Sequence, residues 1–241
     1  MIFGAEGHAA MLAHLSAELL ATPDAEVTFD RVVKASVELV PGADHASLTV
    51  PDRHSARTLA STSELALRCD SLQYELREGP CFEALTGNEW YRSGDVGSDP
   101  RWPRWGPKAA AVGAGALVSV RLAVRDNPIG ALNLYSESLD QFADTDTLDL
   151  VFLYALHAAG ALSAVNEITG LRTGMENRHT IGVAQGILMQ RYGLTMERAF
   201  ELLRRYSNAR NIKLRDVATY VLEHHELPDM TSPAVPAAAD D

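Results

Sequence analysis

Basic side chains concentrate in one stretch of an otherwise acidic sequence. Residues 171–227 carry nine Lys and Arg against six Asp and Glu, whereas the whole chain has a formal net charge of −11. Eight of the nine are arginines, which fork onto phosphate oxygens and also stack on exposed bases. The asymmetry is typical of an acidic protein in which one module contacts nucleic acid. The alternative is a solvated surface on which Glu197 and Glu201 pair with neighbouring arginines.

Cys69 and Cys81 are the only cysteines, too few for a disulfide scaffold, so a reducing cytoplasm is expected. Cys81 follows Gly79-Pro80 at a predicted helix start, where the pKa of a thiol can fall. Redox sensing by Cys81 is therefore one hypothesis, and a buried structural cysteine is the one we prefer.

The three tryptophans have two interpretations. Trp90, Trp102 and Trp105 either line a ligand pocket or pack a long loop rich in Gly, Pro and Asp. The eight histidines show no metal-binding spacing, and the sequence has no Gly-rich phosphate loop or nucleophile motif. We therefore predict no metal, no cofactor and no catalytic residue, so the chain is not expected to be an enzyme.

Alternation and turn chemistry predict an α+β domain in which helices flank an antiparallel sheet. Strands are expected at 45–50, 56–61, 116–124 and 129–135. Helices are expected at 5–21, 28–40 and 63–77, with a helical turn at 81–85 and a structured loop at 94–107. Arg125-Asp-Asn-Pro128 has strong turn chemistry, so the last two strands should form a hairpin.

From Asp144 onward the period becomes helical. A stripe of apolar residues recurs at three- and four-residue steps: Leu148, Val151, Phe152, Ala155, Ala158, Ala159, Leu162 and Val165. This long helix either covers the sheet of its own domain or forms a homodimer seam, and both are possible on different faces. Three further amphipathic helical segments follow residue 170, and the second begins at the capping residue Thr195.

The two termini and the membrane question complete the outline. Residues 1–27 are predicted as an N-terminal helix. Met1 to Leu20 lack the basic start and the continuous apolar run of a signal peptide, so an amphipathic helix is the simpler interpretation. Residues 228–241 hold three prolines and four alanines and are predicted to be disordered. No uninterrupted apolar run approaches the roughly 20 residues of a membrane span, so no membrane partner is expected.

The C-terminal stretch resembles the ANTAR domain, an RNA-binding module of transcription antiterminators. The resemblance rests on four ungapped runs: Asn177 to Gly193, Glu197 to Arg204, Ser207 to Arg210 and Lys213 to Ala218. Gln185 stands where the family usually has Lys, and Gly174 and Asn177 stand where it often has Ala and Ser. The resemblance implies three short helices that bind paired stem-loops in nascent transcripts.

Residues 28–165 resemble a GAF sensor domain. The resembling runs are Glu78-Gly79-Pro80-Cys81, Asp99-Pro100-Arg101-Trp102 and Pro128 to Tyr135. This resemblance implies a small-molecule or protein signal read on a mixed helix-and-sheet scaffold. The predicted domains are accordingly 28–165 for the sensor and 166–227 for the RNA-binding part, joined by the long helix.

The predicted function is a cytoplasmic, signal-responsive, RNA-binding regulator that acts by transcription antitermination on tandem stem-loops, as a homodimer through the long helix. Alternatives are a DNA-binding transcription factor and a sensor that docks a protein partner. The predicted RNA-binding residues are Arg178, Gln185, Arg191, Arg204, Arg205, Arg210 and Lys213. The predicted ligand-binding residues of the sensor are Cys81, Trp90 and Trp102. Tight helix packing is expected at Gly186, and Tyr192 and Tyr206 are expected to be half-buried in the core.

Overall fold

A computed structural model of the chain describes residues 24–52, 55–85, 87–125 and 127–227. The chain divides into two compact units, Met1–Ile168 and Thr169–Asp241. The predicted N-terminal helix at 5–21 and the predicted disordered tail lie outside the described residues.

Helices and strands alternate irregularly in the first unit, as an α+β fold requires. The helices are α1 (Ala25–Leu39), α2 (Glu64–Leu76), the single-turn α3 (Pro80–Ala84), α4 (Gly106–Ala111) and the start of the long α5 (Thr145–Tyr192). The strands are β1 (His45–Asp52), β2 (Ser55–Ser61), β3 (Trp90–Ser93), β4 (Ala116–Val124) and β5 (Asn127–Ser136). Helices α1 and α2 each begin at a side-chain cap, Asp24 and Ser63 respectively.

Within the described residues, five strands form one antiparallel sheet in the order β2-β1-β5-β4-β3. Strands β4 and β5 pair as the expected hairpin, from Ala116 opposite Ser136 to Val124 opposite Asn127. The α+β class and the four expected strands are confirmed. Strand β3 was not predicted, because its four residues are too few to show an alternating pattern.

One face of the sheet is covered by α1 and α5. The stripe residues Val151, Ala155, Ala158 and Leu162 are buried in one cluster with α1 and with inward-facing residues of the central strands. The predicted stripe thus covers the sheet of its own domain. Its alanines permit a close approach of helix to sheet.

The opposite face is packed by α2, α4 and the expected loop. Trp102 and Trp105 are fully buried there, with Cys69 and Leu117 in the same cluster. The indole of Trp105 donates to the Cys69 carbonyl oxygen at 3.0 Å. Packing of the loop is therefore the interpretation of these two tryptophans that the contacts favour. The loop is also shorter than expected, because α4 begins at Gly106.

The second unit has its own small core. Helix α5 runs without interruption to Tyr192, so the first of the three expected segments continues the long helix, and α6 (Met196–Arg210) and α7 (Leu214–His224) follow. Its buried residues are Ala184, Leu188, Ala199, Leu203, Tyr206, Val217, Ala218 and Val221. Left-handed Gly193 and Asn211 turn the chain between these helices.

Helix α5 is long and apolar enough to span a membrane by length and composition. Half of its most apolar 18-residue window is buried inside the protein, and a single helix of this kind is weak evidence for a membrane span.

Replacing the buried Leu132 tests which residues support this fold. Leu132→Ala removes a fully buried side chain from the sheet, so we expect a loss of roughly 2–5 kcal/mol in the free energy of unfolding. Leu139→Ala is the matched control, because Leu139 is 57% exposed and should change stability by less than about 0.5 kcal/mol. Urea denaturation of both variants measures the difference, and equal losses would contradict the assigned core.

Candidate RNA interface and sensor network

Helix α6 sends two neighbouring arginines into solvent. Ala199 and Leu203 bury one side of the helix, and Arg204 and Arg205 lie outside that core. Adjacent residues on a helix diverge by about 100°, so the two side chains leave the exposed face of α6 in different directions.

The other predicted RNA-binding residues differ in exposure. Arg178, Arg191 and Lys213 are exposed, whereas Gln185 and Arg210 are partly buried. All of them belong to the second unit and lie on or beside its helices. The structure therefore gathers the predicted set on one small domain.

Two of these arginines form exposed ion pairs. Arg191 pairs with Glu226 at 2.8 Å, and Arg204 pairs with Glu201 at 2.8 Å. All four side chains are about half exposed, so each pair contributes little stability and can exchange its carboxylate for a phosphate. The pairing of Glu201 with an arginine, foreseen as the alternative, is present and is compatible with RNA binding.

Gln185 has a defined orientation. Its side-chain nitrogen donates to the Met196 carbonyl oxygen at 3.1 Å, which joins α5 to the start of α6. Because a carbonyl oxygen only accepts, the amide nitrogen is the end that faces Met196. The amide oxygen and the second N–H are directed elsewhere.

Two expectations about this unit were wrong. A Cβ placed on Gly186 meets no atom of the described residues within 4 Å, so tight packing does not explain this glycine. Tyr192 is 48% exposed and lies outside the apolar core of the unit, with the Arg191 guanidinium 5.9 Å from its ring centre, so its expected position in the core was wrong. Tyr206, in contrast, is buried in the core of the unit.

In the first unit, a buried carboxylate organises the sheet face opposite α1. Asp70 on α2 is fully buried. One of its oxygens accepts from Tyr135 at 2.8 Å and from Asn133 at 3.4 Å. The other accepts from Thr58 at 2.9 Å and from Thr49 at 3.4 Å. These donors belong to β1, β2 and β5, so one side chain connects α2 to three strands.

A second layer of side chains fixes these donors. Asn133 donates to the Ser47 hydroxyl at 3.1 Å and accepts from Ser119 at 2.7 Å. Gln73 donates to the Tyr135 hydroxyl at 3.2 Å and accepts from the Cys81 backbone N–H at 2.9 Å. The Tyr74 hydroxyl bonds both threonines that face Asp70, at 3.0 and 2.9 Å. We call this set around Asp70 the polar network.

Burial governs the protonation of the polar network. Burial raises the pKa of Asp70 to about 6, although hydrogen bonds from Ser47, Tyr135 and the threonines lower it. Burial also raises the pKa of Tyr135 well above its usual value. The carboxylate is thus held by neutral hydroxyl and amide donors.

The predicted sensor residues do not form one site. Cys81 is fully buried and burial raises the pKa of its thiol, which contradicts the redox hypothesis because that hypothesis requires a lowered pKa. Burial likewise raises the pKa of Cys69 to about 12. Trp102 donates to Glu83 at 2.9 Å inside the loop cluster. Trp90 is 43% exposed and contacts Phe152 edge-on, so it lies in different surroundings.

Sequence reasoning missed the polar network. Its strand members, such as Thr49, Ser119 and Asn133, occupy inward positions of strands whose next residues are apolar and face the other core. Polar residues at every second position of otherwise apolar strands were the available signal. In the sequence, these polar positions indicate the solvent-exposed face of a sheet, because only the structure shows that α2 covers them.

Two family profiles match the chain. The GAF domain matches residues 22–163, more than half of the sequence, and the ANTAR domain matches residues 169–222. The chain belongs to the GAF domain family and carries a C-terminal ANTAR domain. This GAF–ANTAR organisation confirms both resemblances. A comparison with curated protein sequences finds no match to the chain.

Solved structures similar to this GAF–ANTAR protein share the sensor fold. A free methionine-R-sulfoxide reductase from Neisseria meningitidis superposes with a TM-score of 0.54 at 18% identity, over 69% of this chain and 95% of its own. The GAF domain of a phosphoenolpyruvate-protein phosphotransferase from Coxiella burnetii gives 0.54 at 17% identity, over 70% and 99%. The corresponding domain from Acinetobacter gives 0.53 at 12% identity, over 68% and 97%. Identities this low establish the fold alone.

The raised pKa of Asp70 makes stability depend on pH. The stability that its folded-state pKa of about 6 contributes is present at low pH and is lost as pH rises through 6, because the unfolded value is 3.8. Relative to Asp70→Asn, which does not titrate, the wild type should lose about 1–2 kcal/mol between pH 5 and pH 7.5. Urea denaturation of both proteins at the two pH values measures this, and a constant difference would show an unshifted Asp70.

Proposed function

We propose that this protein is a cytoplasmic, signal-responsive regulator that binds RNA and acts by transcription antitermination on transcripts containing tandem stem-loops. The observation that carries the proposal is the ANTAR domain itself, whose arginines project from helices that share a separate apolar core. Because the apolar residues of this small domain are buried in its own core, its charged side chains remain on the surface, where a ligand can bind them.

The contacts of this surface suit phosphate. Arginine binds phosphate oxygens through two parallel N–H groups, and at Arg191 and Arg204 phosphate would replace the carboxylates of Glu226 and Glu201. Arg178, Arg205 and Lys213 add exposed positive charge. We propose phosphate and loop binding as the role of this set, with Arg210 contributing from its partly buried position.

We further propose that the protein is a homodimer through α5. A second apolar stripe, separate from the one that covers the sheet, lies exposed on the part of this helix that belongs to the first unit: Leu153, Leu156 and Ile168. Leu156 is 67% exposed, and burial against a second copy would remove this apolar surface from water. A dimer would present two basic surfaces to two loops.

We propose that residues 28–165 read a small-molecule or protein signal and that residues 166–227 bind RNA. Signal binding would favour one of two states of α5, and that state would expose or pair the RNA-binding domains. A signal shifts such an equilibrium only by its difference in affinity for the two states. The residues of α5 are common to both parts, which supports this helix as the element that responds.

The RNA-binding proposal is tested by gel shift of the full chain at physiological salt, with tandem stem-loops bearing short loops and a scrambled-loop control. We expect tight, loop-dependent binding, and a loss of at least tenfold in affinity for Arg204→Ala combined with Arg205→Ala, because two phosphate contacts are lost. Lys34→Ala with Arg68→Ala removes the same charge from exposed positions of the sensor and should leave affinity nearly unchanged.

Two results would count against this proposal. Equal binding of random duplex DNA would favour a DNA-binding transcription factor. Failure of every stem-loop RNA to bind, with or without the sensor's signal, would favour a protein-docking sensor.

The dimer proposal is tested by sedimentation. Leu156→Glu places a charge in the exposed stripe of α5, so we expect the monomer mass at micromolar concentration where the wild type shows the dimer mass. Leu139→Glu introduces the same charge at a leucine of similar exposure outside α5 and should remain dimeric. A monomeric wild type, or identical behaviour of the two variants, would contradict the α5 interface.

A further inference from the structure

Phe200 is an exposed aromatic residue in the middle of α6. It is 37% exposed, although its neighbours Ala199 and Leu203 are fully buried in the core of the ANTAR domain. The ring is therefore not needed to fill that core. An aromatic ring that stays partly in water can stack on a ligand.

The residues around Phe200 are chemically mixed. Arg204 lies one helical turn after Phe200 and Met196 one turn before it, so the three share one flank of α6. The backbone N–H of Phe200 points to the Met196 carbonyl oxygen in the regular helix pattern. That same carbonyl accepts the side-chain nitrogen of Gln185 at 3.1 Å. The Gln185 amide is thus fixed near the backbone that carries the Phe200 ring.

We infer that Phe200, Gln185 and Arg204 form a recognition site for one unpaired RNA base. The base stacks on the Phe200 ring, and its edge meets the amide oxygen and the remaining N–H of Gln185. The Arg204 guanidinium, released from Glu201, binds an adjacent phosphate. Phosphate contacts position an RNA without reading it, so this site adds the selection of unpaired loop bases over duplex. The inference rests on the proposed RNA-binding function and names the ligand chemistry of that surface.

Charge and ring chemistry favour RNA over protein as the occupant of this flank. The stretch 171–227 has an excess of positive charge in a strongly acidic chain, and Arg204 follows Phe200 by one helical turn. A purely apolar docking surface would not need an arginine and an oriented amide at its edge. Base stacking on aromatic rings with phosphate binding by arginine is the usual chemistry of single-stranded nucleic acid sites.

The experiment measures the affinity of the full chain for a tandem stem-loop RNA selected by the wild type from a pool with randomised loops. We expect Phe200→Ala to weaken binding about tenfold to a hundredfold, and Phe200→Leu to weaken it similarly, because leucine keeps apolar bulk but cannot stack. Phe200→Tyr keeps the ring and should stay within about threefold of the wild type. Thermal denaturation by circular dichroism shows that each variant is folded.

A fluorescent base distinguishes stacking from other losses. With 2-aminopurine substituted singly at each loop position, one position should be quenched on binding the wild type and Phe200→Tyr, and not on binding Phe200→Leu. Gln185→Ala should reduce the preference for the selected loop while leaving binding to a scrambled loop unchanged.

The outcomes separate the two claims. If the wild type selects no RNA from the pool, the proposed function fails. If it binds RNA and Phe200→Leu binds as well as Phe200→Tyr, the base-recognition site is wrong while the proposed function stands. A change of oligomeric mass in Phe200→Leu with unchanged affinity per protomer would assign the ring to a protein interface instead.

Discussion

Much of the rest of this structure depends on the burial of one apolar side of α5 against the sheet. Ala155, Ala158 and Leu162 fill one core with α1 and the central strands. Because one side of α5 is buried against the sheet, residues on its other side remain exposed to solvent, and Leu156 is one of these exposed residues. Farther along the same helix, Ala184 and Leu188 enter the core of the ANTAR domain. One helix therefore contributes to two cores and leaves a third surface open.

On the opposite face of the sheet, buried polar side chains make up much of the packing against α2. A buried carboxylate loses its hydration on folding, which costs free energy. An apolar core in place of the polar network would therefore stabilise the fold equally well. Asp70 offsets that loss by accepting hydrogen bonds from three strands, so the network is favourable only when every member is in register. Such a network specifies one arrangement of α2 on the sheet. It also makes that arrangement sensitive to any change that removes a donor.

How far sequence reasoning reached can be judged from particular residues. Strong alternation located β4 and β5, and the continuous match to the ANTAR pattern located the ANTAR domain. The four-residue β3 was too short for a period to show. The buried and the exposed apolar residues of α5 cannot be told apart from the sequence, and only the position of the sheet separates them.

Single residues were harder than patterns, because their surroundings come from distant parts of the chain. Cys81 follows a helix start, which suggests a reactive thiol. However, α3 has only a single turn, and the Cys81 side chain is fully buried. Gly186 suggests close packing, yet it faces open space. Asp70 was not among the predicted functional residues, because an aspartate in a predicted helix normally faces solvent. Its hydrogen-bond donors are distant in sequence, so no neighbouring residue indicates them.

Electrostatics limits what the ANTAR surface can do by charge alone. An excess of about three positive charges gives weak attraction to RNA at physiological salt, where exposed charges are screened within about 8 Å. The ion pairs of Arg191 and Arg204 reduce that attraction further until phosphate displaces their carboxylates. Under the proposed function, non-specific retention of RNA would be weak, and affinity would have to come from contacts that only a matching loop can make. The proposed base site at Phe200 and Gln185 would supply such contacts, because stacking requires a base that is already out of the duplex.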